Sequence, residues 1–153
     1  AFRPGARAVT VDTPFGRLGL GICYDMRFPA LWRALAEAGA GILLSPAAFT
    51  VPTGRAHWEV LLRARAIETG SFMLAAAQWG THTASRGRER ATWGHSLAVA
   101  PWGEVLVDGG EGTGVHFAEL DLSAVAKARR AIPALQNARA FMPPEETPVL
   151  QPA

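Results

Sequence analysis

Cysteine is almost absent from this chain of 153 residues, in which Cys23 is the only one. A single thiol excludes a disulfide framework and any zinc site built on paired cysteines within the sequence. Long apolar runs are absent too, since none approaches the ~20 residues needed to span a bilayer. No signal-peptide pattern opens the sequence. We therefore expect a soluble cytoplasmic protein without a membrane partner.

Charge of either sign is scarce as well: charged residues make up 18% of the chain, and apolar residues make up 49%. This balance argues against intrinsic disorder. The formal net charge is only +2, and the arginines are scattered rather than clustered. The composition therefore argues against a nucleic-acid partner, and a nucleic-acid binder built on the basic 80–90 segment is the weakest alternative.

A start methionine is missing, because the chain opens with Ala1-Phe2-Arg3 and soon enters a strand pattern. We expect the sequence to be one piece of a longer protein. Strand and helix patterns then alternate, in the order strand 8–12, strand 17–22, helix 29–38, strand 42–44, helix 56–69 with Thr53 as its N-cap, and strand 72–77. This alternation predicts an α/β fold in which helices cover a parallel or mixed sheet.

The pattern changes in the second half of the chain. A polar basic loop is predicted over 80–90, and Pro101-Trp102-Gly103 predicts the turn of a hairpin formed by 97–99 and 104–107. A strand near 115–120 and a helix over 123–131 follow. Residues 143–153 contain four prolines, which predicts an extended or disordered tail after a domain that covers 1–142.

The stretch from Gly19 to Pro29 is the most informative, because it places Cys23 between a strand pattern and a helix start. Backbone N–H groups at a helix N-terminus favour the thiolate, which is the nucleophilic form of cysteine. The same groups could stabilise the oxyanion that forms when sulfur attacks a carbonyl carbon. The alternative is a buried structural cysteine, the usual role of a lone one.

A cysteine nucleophile needs a base, and the sequence identifies none. The four histidines, at positions 57, 82, 95 and 116, come without a protease pattern around Cys23. The triplet His57-Trp58-Glu59 imitates the H-x-E motif of zinc deaminases, but the second motif of those enzymes needs two cysteines. A solvated helix face is the alternative interpretation of His57 and Glu59.

Several spaced motifs agree with one known family. They are the run around Cys23, then 45–50, 54–68, 75–78, Gly94-His95-Ser96 and Pro101-Trp102-Gly103. Over roughly residues 2–140 the sequence resembles the nitrilase or carbon–nitrogen hydrolase superfamily. The Cys-Tyr-Asp-x-Arg-Phe-Pro run and the Ala-His-Trp-Glu helix are most similar to its omega-amidase or deaminated-glutathione amidase branch.

The resemblance implies an α-β-β-α sandwich and a Glu-Lys-Cys triad that cleaves a small linear amide to a carboxylate and ammonia through a thioester. It implies no metal and no other cofactor. By position, Cys23 is the nucleophile and the backbone N–H of Tyr24 is an oxyanion donor.

The family's glutamate and lysine lie upstream of the cysteine, where this chain has Asp12 as its only acid and no lysine. Lys127 lies in a late helix and is no substitute. We therefore expect the C-terminal half of an amidase, inactive alone. A non-catalytic half-domain that pairs with another chain is the alternative.

Substrate contacts are expected on the loop after the 42–44 strand, at Ala47, Phe49 and Thr50, because open α/β sheets bind ligands beyond the carboxyl ends of their strands. A plain connecting loop is the alternative. Arg27 either faces an acidic substrate or braces the turn around the nucleophile.

The two predicted helices carry the remaining expectations. Glu59, Arg65 and Glu68 are expected to support the structure, the last two as an i,i+3 pair. The same helices are expected to build a homodimer or a higher homo-oligomer, with Trp32 and Trp58 as apolar anchors. Packing of these tryptophans within one chain is the competing explanation.

Overall fold

Six strands form a mixed β-sheet, and a two-stranded hairpin stands apart from it. The computed structural model describes residues 3–83 and 89–144, so 84–88 of the predicted basic loop and 145–153 of the predicted tail lie outside the described residues. The elements are β1 (Val9–Thr13), β2 (Gly16–Leu20), a 3₁₀ turn (Cys23–Arg27), α1 (Pro29–Glu37), β3 (Ile42–Leu44), α2 (Val51–Thr69), β4 (Phe72–Ala75), β5 (Trp79–His82), β6 (Arg90–Trp93), β7 (Leu97–Val99), β8 (Val105–Asp108), α3 (Ser123–Ala131) and α4 (Ala134–Asn137).

The large sheet has the strand order β1-β2-β3-β4-β7-β8. Strands β2, β3 and β4 are parallel, and the other pairs are antiparallel. The predicted α/β fold with a mixed sheet is therefore confirmed. Because the three parallel strands end at the same edge, the loops that follow them meet there. These loops contain Cys23, the segment 45–50 and the segment 76–78.

The core lies between the sheet and helices α1 and α2. Trp32 and Trp58 are 0% and 1% exposed, and they pack with Leu43 and Met73 of the central strands. The prediction that both tryptophans anchor a dimer interface is wrong, because each is already buried within its own chain. Each indole N–H also has a partner: Trp32 donates to the carbonyl of Asp25 at 2.8 Å, and Trp58 donates to that of His95 at 2.7 Å.

The other face of the sheet exposes apolar side chains. Val9 and Leu20 are register partners on β1 and β2, and they are 49% and 37% exposed. The predicted strand near 115–120 is wrong: these residues form no strand, and Phe117 is 87% exposed. An alternating pattern forms a strand only where a neighbouring strand supplies hydrogen bonds. The sheet and the helices on its covered face account for one α layer and one β layer of an α-β-β-α sandwich.

Several boundaries differ from the predicted ones. Helix α2 begins at Val51 with Thr50 as its N-cap, so the prediction of Thr53 as the cap is wrong. The predicted 80–90 loop is partly wrong as well, because its ends belong to strands β5 and β6. The 97–107 hairpin and the 123–131 helix are present as predicted. No helix in the described ranges is long and apolar enough to cross a membrane.

Helix α3 is fastened to the sheet by one guanidinium group. Arg129 donates to the carbonyls of Thr69 and Ala40 and to the hydroxyl of Ser71, at 2.8–3.1 Å. Ala40 and Ser71 lie on the loops that precede β3 and β4, and Thr69 is the last residue of α2. Burial lowers the pKa of Arg129 from its ordinary value, and the three acceptors compensate for the lost hydration of its charge.

The contact between α2 and β6 yields a test of the packing that holds the loop 45–50. A Cβ at Gly54 would lie 2.2 Å from the Cβ and Cγ atoms of Trp93. Overpacking should therefore lower the free energy of unfolding of the Gly54→Ala variant by about 1–3 kcal/mol. The higher helix propensity of alanine should offset about 1 kcal/mol of this loss. Thermal unfolding measures the effect, at roughly 2–4 °C in Tm per kcal/mol.

Gly41→Ala is the matched control, because its Cβ would meet Val125 at an ordinary 3.6 Å. Equal Tm values for the Gly54→Ala and Gly41→Ala variants would contradict this description of the contact between α2 and β6.

Candidate active site

The backbone of Cys23 has a strained conformation directly after β2. Its φ of 48° is in the left-handed region, which costs a residue other than glycine about 1–3 kcal/mol and is concentrated at functional sites. The N–H of Cys23 donates to the carbonyl of Pro46 at 3.0 Å, and that of Gly21 donates to Leu44 at 3.0 Å. These bonds tie the nucleophile candidate to the end of the neighbouring strand β3.

The Cys23 sulfur accepts a hydrogen bond from the backbone N–H of Ala48, with a donor–acceptor distance of 3.5 Å. The sequence predicted that N–H groups of a following helix would surround the thiol. In the structure a 3₁₀ turn precedes α1, and α1 begins with a proline that has no N–H. The donor on the sulfur therefore belongs to the loop after β3.

An open cavity of about 540 Å³ exposes the Cys23 side chain. It lies at the edge where the three parallel strands end, as expected for a ligand site in an open α/β sheet. Its lining comes from four loops and one turn: Ile22, Cys23, Pro46, Ala47, Ala48, Ala76, Ala77, Gln78, Ser96 and Gly114.

The turn that carries Cys23 is held by polar contacts of Asp25 and Arg65. Asp25 accepts the N–H of Ile22 on its carboxylate at 2.8 Å. Arg65 is 4% exposed and donates twice to the carbonyl of Met26, at 2.9 and 3.1 Å. The predicted Arg65–Glu68 pair is present, with a distance of 2.9 Å.

Glu59 lies on the exposed face of α2, where its carboxylate pairs with Arg63 at 3.3 Å. This ion pair belongs to the helix surface, and Glu59 is not part of the lining of the Cys23 cavity.

The residues predicted to bind substrate divide into two groups. Ala47 lines the Cys23 cavity. Phe49 is buried against Trp58, with ring centroids 4.8 Å apart, and the Thr50 hydroxyl lies 2.9 Å from that of Thr53. Phe49 and Thr50 are therefore part of the support under the loop, and neither lines the cavity.

Arg27 lies over the rings of Tyr24 and Phe49, with its guanidinium carbon 5.6 and 5.2 Å from their centroids. Two of its nitrogens lie 3.4 Å from Nδ1 of His57. Among the described residues no ion pair includes Arg27. The guanidinium is thus braced by aromatic rings and keeps a charge that no described carboxylate neutralises.

Three of the four histidines considered as bases contact groups other than the sulfur. His57 contacts Arg27, the Nε2 atom of His82 lies 2.7 Å from the Thr92 hydroxyl, and Nδ1 of His95 lies 3.0 Å from both carboxylate oxygens of Asp108. Partial burial alone would raise the pKa of Asp108. Hydrogen bonds from His95 and Gly110 outweigh burial and keep this pKa below its ordinary value.

Asp12, the only acid before Cys23, and Lys127, which the sequence excludes as a substitute for the family's lysine, are paired with other residues. Asp12 pairs with Arg17 at 2.6 Å, and this hydrogen bond lowers the pKa of Asp12. Lys127 pairs with Asp121 at 3.3 Å on an exposed face. In the described ranges no cluster of three or more His, Cys, Asp or Glu side chains could hold a metal ion.

Comparison with known proteins identifies the family. The family model described as carbon-nitrogen hydrolase matches residues 1–130. The deaminated glutathione amidase of Homo sapiens is 53% identical over 129 residues, which cover 84% of this chain and 38% of that protein. The protein of the same name from Yersinia enterocolitica is 45% identical over 138 residues, which cover 90% of this chain and 47% of that protein. The chain therefore spans less than half the length of these relatives.

Solved structures agree with this assignment. The C. elegans NitFhit protein aligns with a TM-score of 0.83 and 47% identity over 90% of this chain and 32% of that one. An amidase variant from Nesterenkonia sp. AN1, with the acetamide moiety of fluoroacetamide added covalently to its active-site cysteine, aligns with a TM-score of 0.70 and 29% identity over 90% of this chain and 51% of that one. On the evidence of the family model, the relatives and the fold, this chain belongs to the carbon–nitrogen hydrolase family.

Proposed function

We propose that the protein is an amidase that hydrolyses a small linear amide through a thioester on Cys23. The observation that carries this proposal is the strained Cys23, whose sulfur faces a cavity and accepts the Ala48 N–H. The covalent adduct on the active-site cysteine of the Nesterenkonia amidase supports the same role for Cys23. The name shared by the curated relatives supports an amide substrate.

The proposed reaction has two steps. The Cys23 thiolate attacks the amide carbon, a C–S bond forms, and the carbonyl oxygen becomes an oxyanion that the Tyr24 N–H stabilises. The C–N bond then breaks, and the nitrogen leaves as ammonia with the proton that the base removed from the Cys23 thiol. The base next takes a proton from water, whose oxygen attacks the thioester carbon. The C–S bond breaks, the sulfur keeps the bonding electron pair and takes the proton back from the base, and the acid product ionises to the carboxylate.

This chain supplies the nucleophile, and we propose that the upstream part of the protein supplies the base and the lysine. Asp12 and Lys127 are paired on the surface away from Cys23, and Glu59 is paired with Arg63. The apolar face formed by Val9 and Leu20 supports a further sheet packing against this one.

Of the residues predicted to bind substrate, we propose Ala47 and Arg27 as substrate contacts and Phe49 and Thr50 as positioning residues. Ala47 contacts the substrate directly, because it lines the cavity. Phe49 and Thr50 act through the shape of the loop that carries Ala47 and Ala48. The charge of Arg27, four residues after the nucleophile, favours an amide that also carries a carboxylate.

The alternative function is a non-catalytic half-domain that pairs with another chain. The observation that favours it is the same exposed apolar sheet face. Activity of the complete protein separates the two, because a pairing module hydrolyses no amide.

We also propose a cytoplasmic homodimer formed through helices α1 and α2. The buried tryptophans cannot serve as its anchors, but Val60 and Ile67 can. They lie seven residues apart, on one side of α2, and are 67% and 51% exposed.

Replacement of the nucleophile tests the mechanism. Cys23→Ala in the complete protein should abolish amide hydrolysis while leaving the circular dichroism spectrum unchanged, because the side chain is small and lies at a cavity. Turnover is measured as ammonia release from succinamate, and the thioester is sought by mass spectrometry of the wild type after rapid quenching. Near-wild-type turnover would show that the nucleophile is misassigned.

The 153-residue chain alone should show no measurable amidase activity. General base catalysis contributes about 10²–10⁴ in rate, and one oxyanion donor contributes about 10²–10³, so loss of both reduces the rate to background. Ammonia release from succinamate at high chain concentration is the measurement. Sustained turnover that Cys23→Ser abolishes would mean that the base lies within this chain.

The proposed interface predicts a change in molecular mass. Val60→Glu should shift the complete protein from dimer to monomer in analytical ultracentrifugation at micromolar concentration, because it buries a charge in an apolar contact. Val105→Glu is the control, since Val105 is an exposed apolar residue outside α1 and α2. A monomeric wild type, or equal effects of both variants, would count against this interface.

A further inference from the structure

The only described hydrogen bond to the Cys23 sulfur depends on the position of one loop residue, Ala48. The residues on either side of Ala48 are fixed by backbone bonds. Ala47 donates to the carbonyl of Ala76 at 2.8 Å and accepts the N–H of Gln78 at 2.9 Å, while the Phe49 carbonyl accepts the N–H of Trp93 at 2.9 Å. Among the three carbonyls of this loop segment, that of Ala48 alone accepts no backbone N–H in the described bonds.

The Ala48 carbonyl accepts a hydrogen bond from a guanidinium nitrogen, Nη2 of Arg90. Arg90 is the first residue of β6, and its partner across the hairpin is His82. The same strand also bonds the loop through Trp93 and through a β-bridge between Thr92 and Thr50. The hairpin therefore holds the loop at three consecutive residues, of which Ala48 alone is held by a side chain.

We propose that Arg90 is a positioning residue for the Cys23 thiolate. The Ala48 N–H shares its peptide plane with the Ala47 carbonyl, which the Gln78 N–H holds, and the Arg90 guanidinium restrains the next peptide plane by holding the Ala48 carbonyl. Its positive charge is bonded to the same residue that donates to the sulfur, and both effects favour the thiolate. The catalytic consequence rests on the proposed amidase function, but the effect on the thiol does not.

A second arginine provides a matched control. Arg55 packs over Trp93, with its guanidinium carbon 5.6 Å from the ring centroid, so it contacts the same strand as Arg90. No described hydrogen bond joins it to Ala48. Loss of Arg55 removes one positive charge and one contact with the hairpin without removing the bond to the loop.

The experiment measures alkylation of Cys23 by iodoacetamide, followed by mass spectrometry of the peptide that contains Cys23. Iodoacetamide is uncharged, so a lost arginine does not change its attraction to the protein. Wild type, Arg90→Met, Arg90→Lys and Arg55→Met are compared at pH 7 and at pH 10, which is above the ordinary thiol pKa of about 8.5. Circular dichroism and the Tm of each variant report its folding.

At pH 7 Arg90→Met should slow alkylation by about threefold to tenfold, less than the full worth of a charge-assisted hydrogen bond because the arginine acts through Ala48. The difference should shrink at pH 10, where the thiol is ionised in every variant. Arg90→Lys should recover most of the rate, since one ammonium donor can replace the single Nη2 contact. Arg55→Met should match the wild type.

The proposal is overturned by any of three results: an unchanged rate in Arg90→Met at pH 7, an equal loss in Arg55→Met, or a loss that persists in full at pH 10. The proposal would also be overturned if Cys23 were alkylated as slowly in Arg90→Lys as in Arg90→Met. This outcome counts against it even if Arg90→Met is poorly folded. Because no amide takes part, slower alkylation in a protein without amidase activity would refute the proposed function and leave the role of Arg90 intact.

Discussion

The packing of Trp32 against Gly21 is the constraint on which the site depends. A Cβ at position 21 would lie 2.4 Å from the indole ring, so only glycine admits the ring at the end of β2. From that position the indole N–H holds the Asp25 carbonyl, and Asp25 in turn holds the N–H of Ile22. The turn that begins at Cys23 is thereby fixed on both sides. The left-handed backbone of Cys23 persists because its surroundings determine it more strongly than its own preference does.

Sequence periodicity located most elements, since α1, β3, β7, β8 and α3 each show a regular apolar pattern or a clear start and stop signal. It missed the hairpin of β5 and β6, whose strands are four residues each and carry no sustained apolar alternation. That hairpin is held by tertiary bonds to the loop at Phe49 and Thr50, which no local pattern reveals. The start of α2 was misplaced because Thr53 and Thr50 are both chemically suitable caps.

The sequence predicted only part of the candidate site, for a related reason. Cys23 was found because its residue type and its place between a strand and a turn are visible in the sequence. The donor to its sulfur was missed because it is a backbone N–H of an alanine, and its location depends on how Ala47 pairs with Ala77. Arg90 carried no signal either, since its role follows from a carbonyl 42 residues away. The sequence specifies which side-chain groups are present, whereas the positions of backbone N–H donors follow only from the fold.

Arg129 connects the last long helix to the sheet across 89 residues of sequence, from α3 back to Ala40. Contacts of such separation close large loops and therefore carry a high entropic cost of closure. Opening of α3 would withdraw one donor group from three acceptors that lie beside the starts of β3 and β4. A helix remote from the cavity thus stabilises the strands whose far ends carry the site.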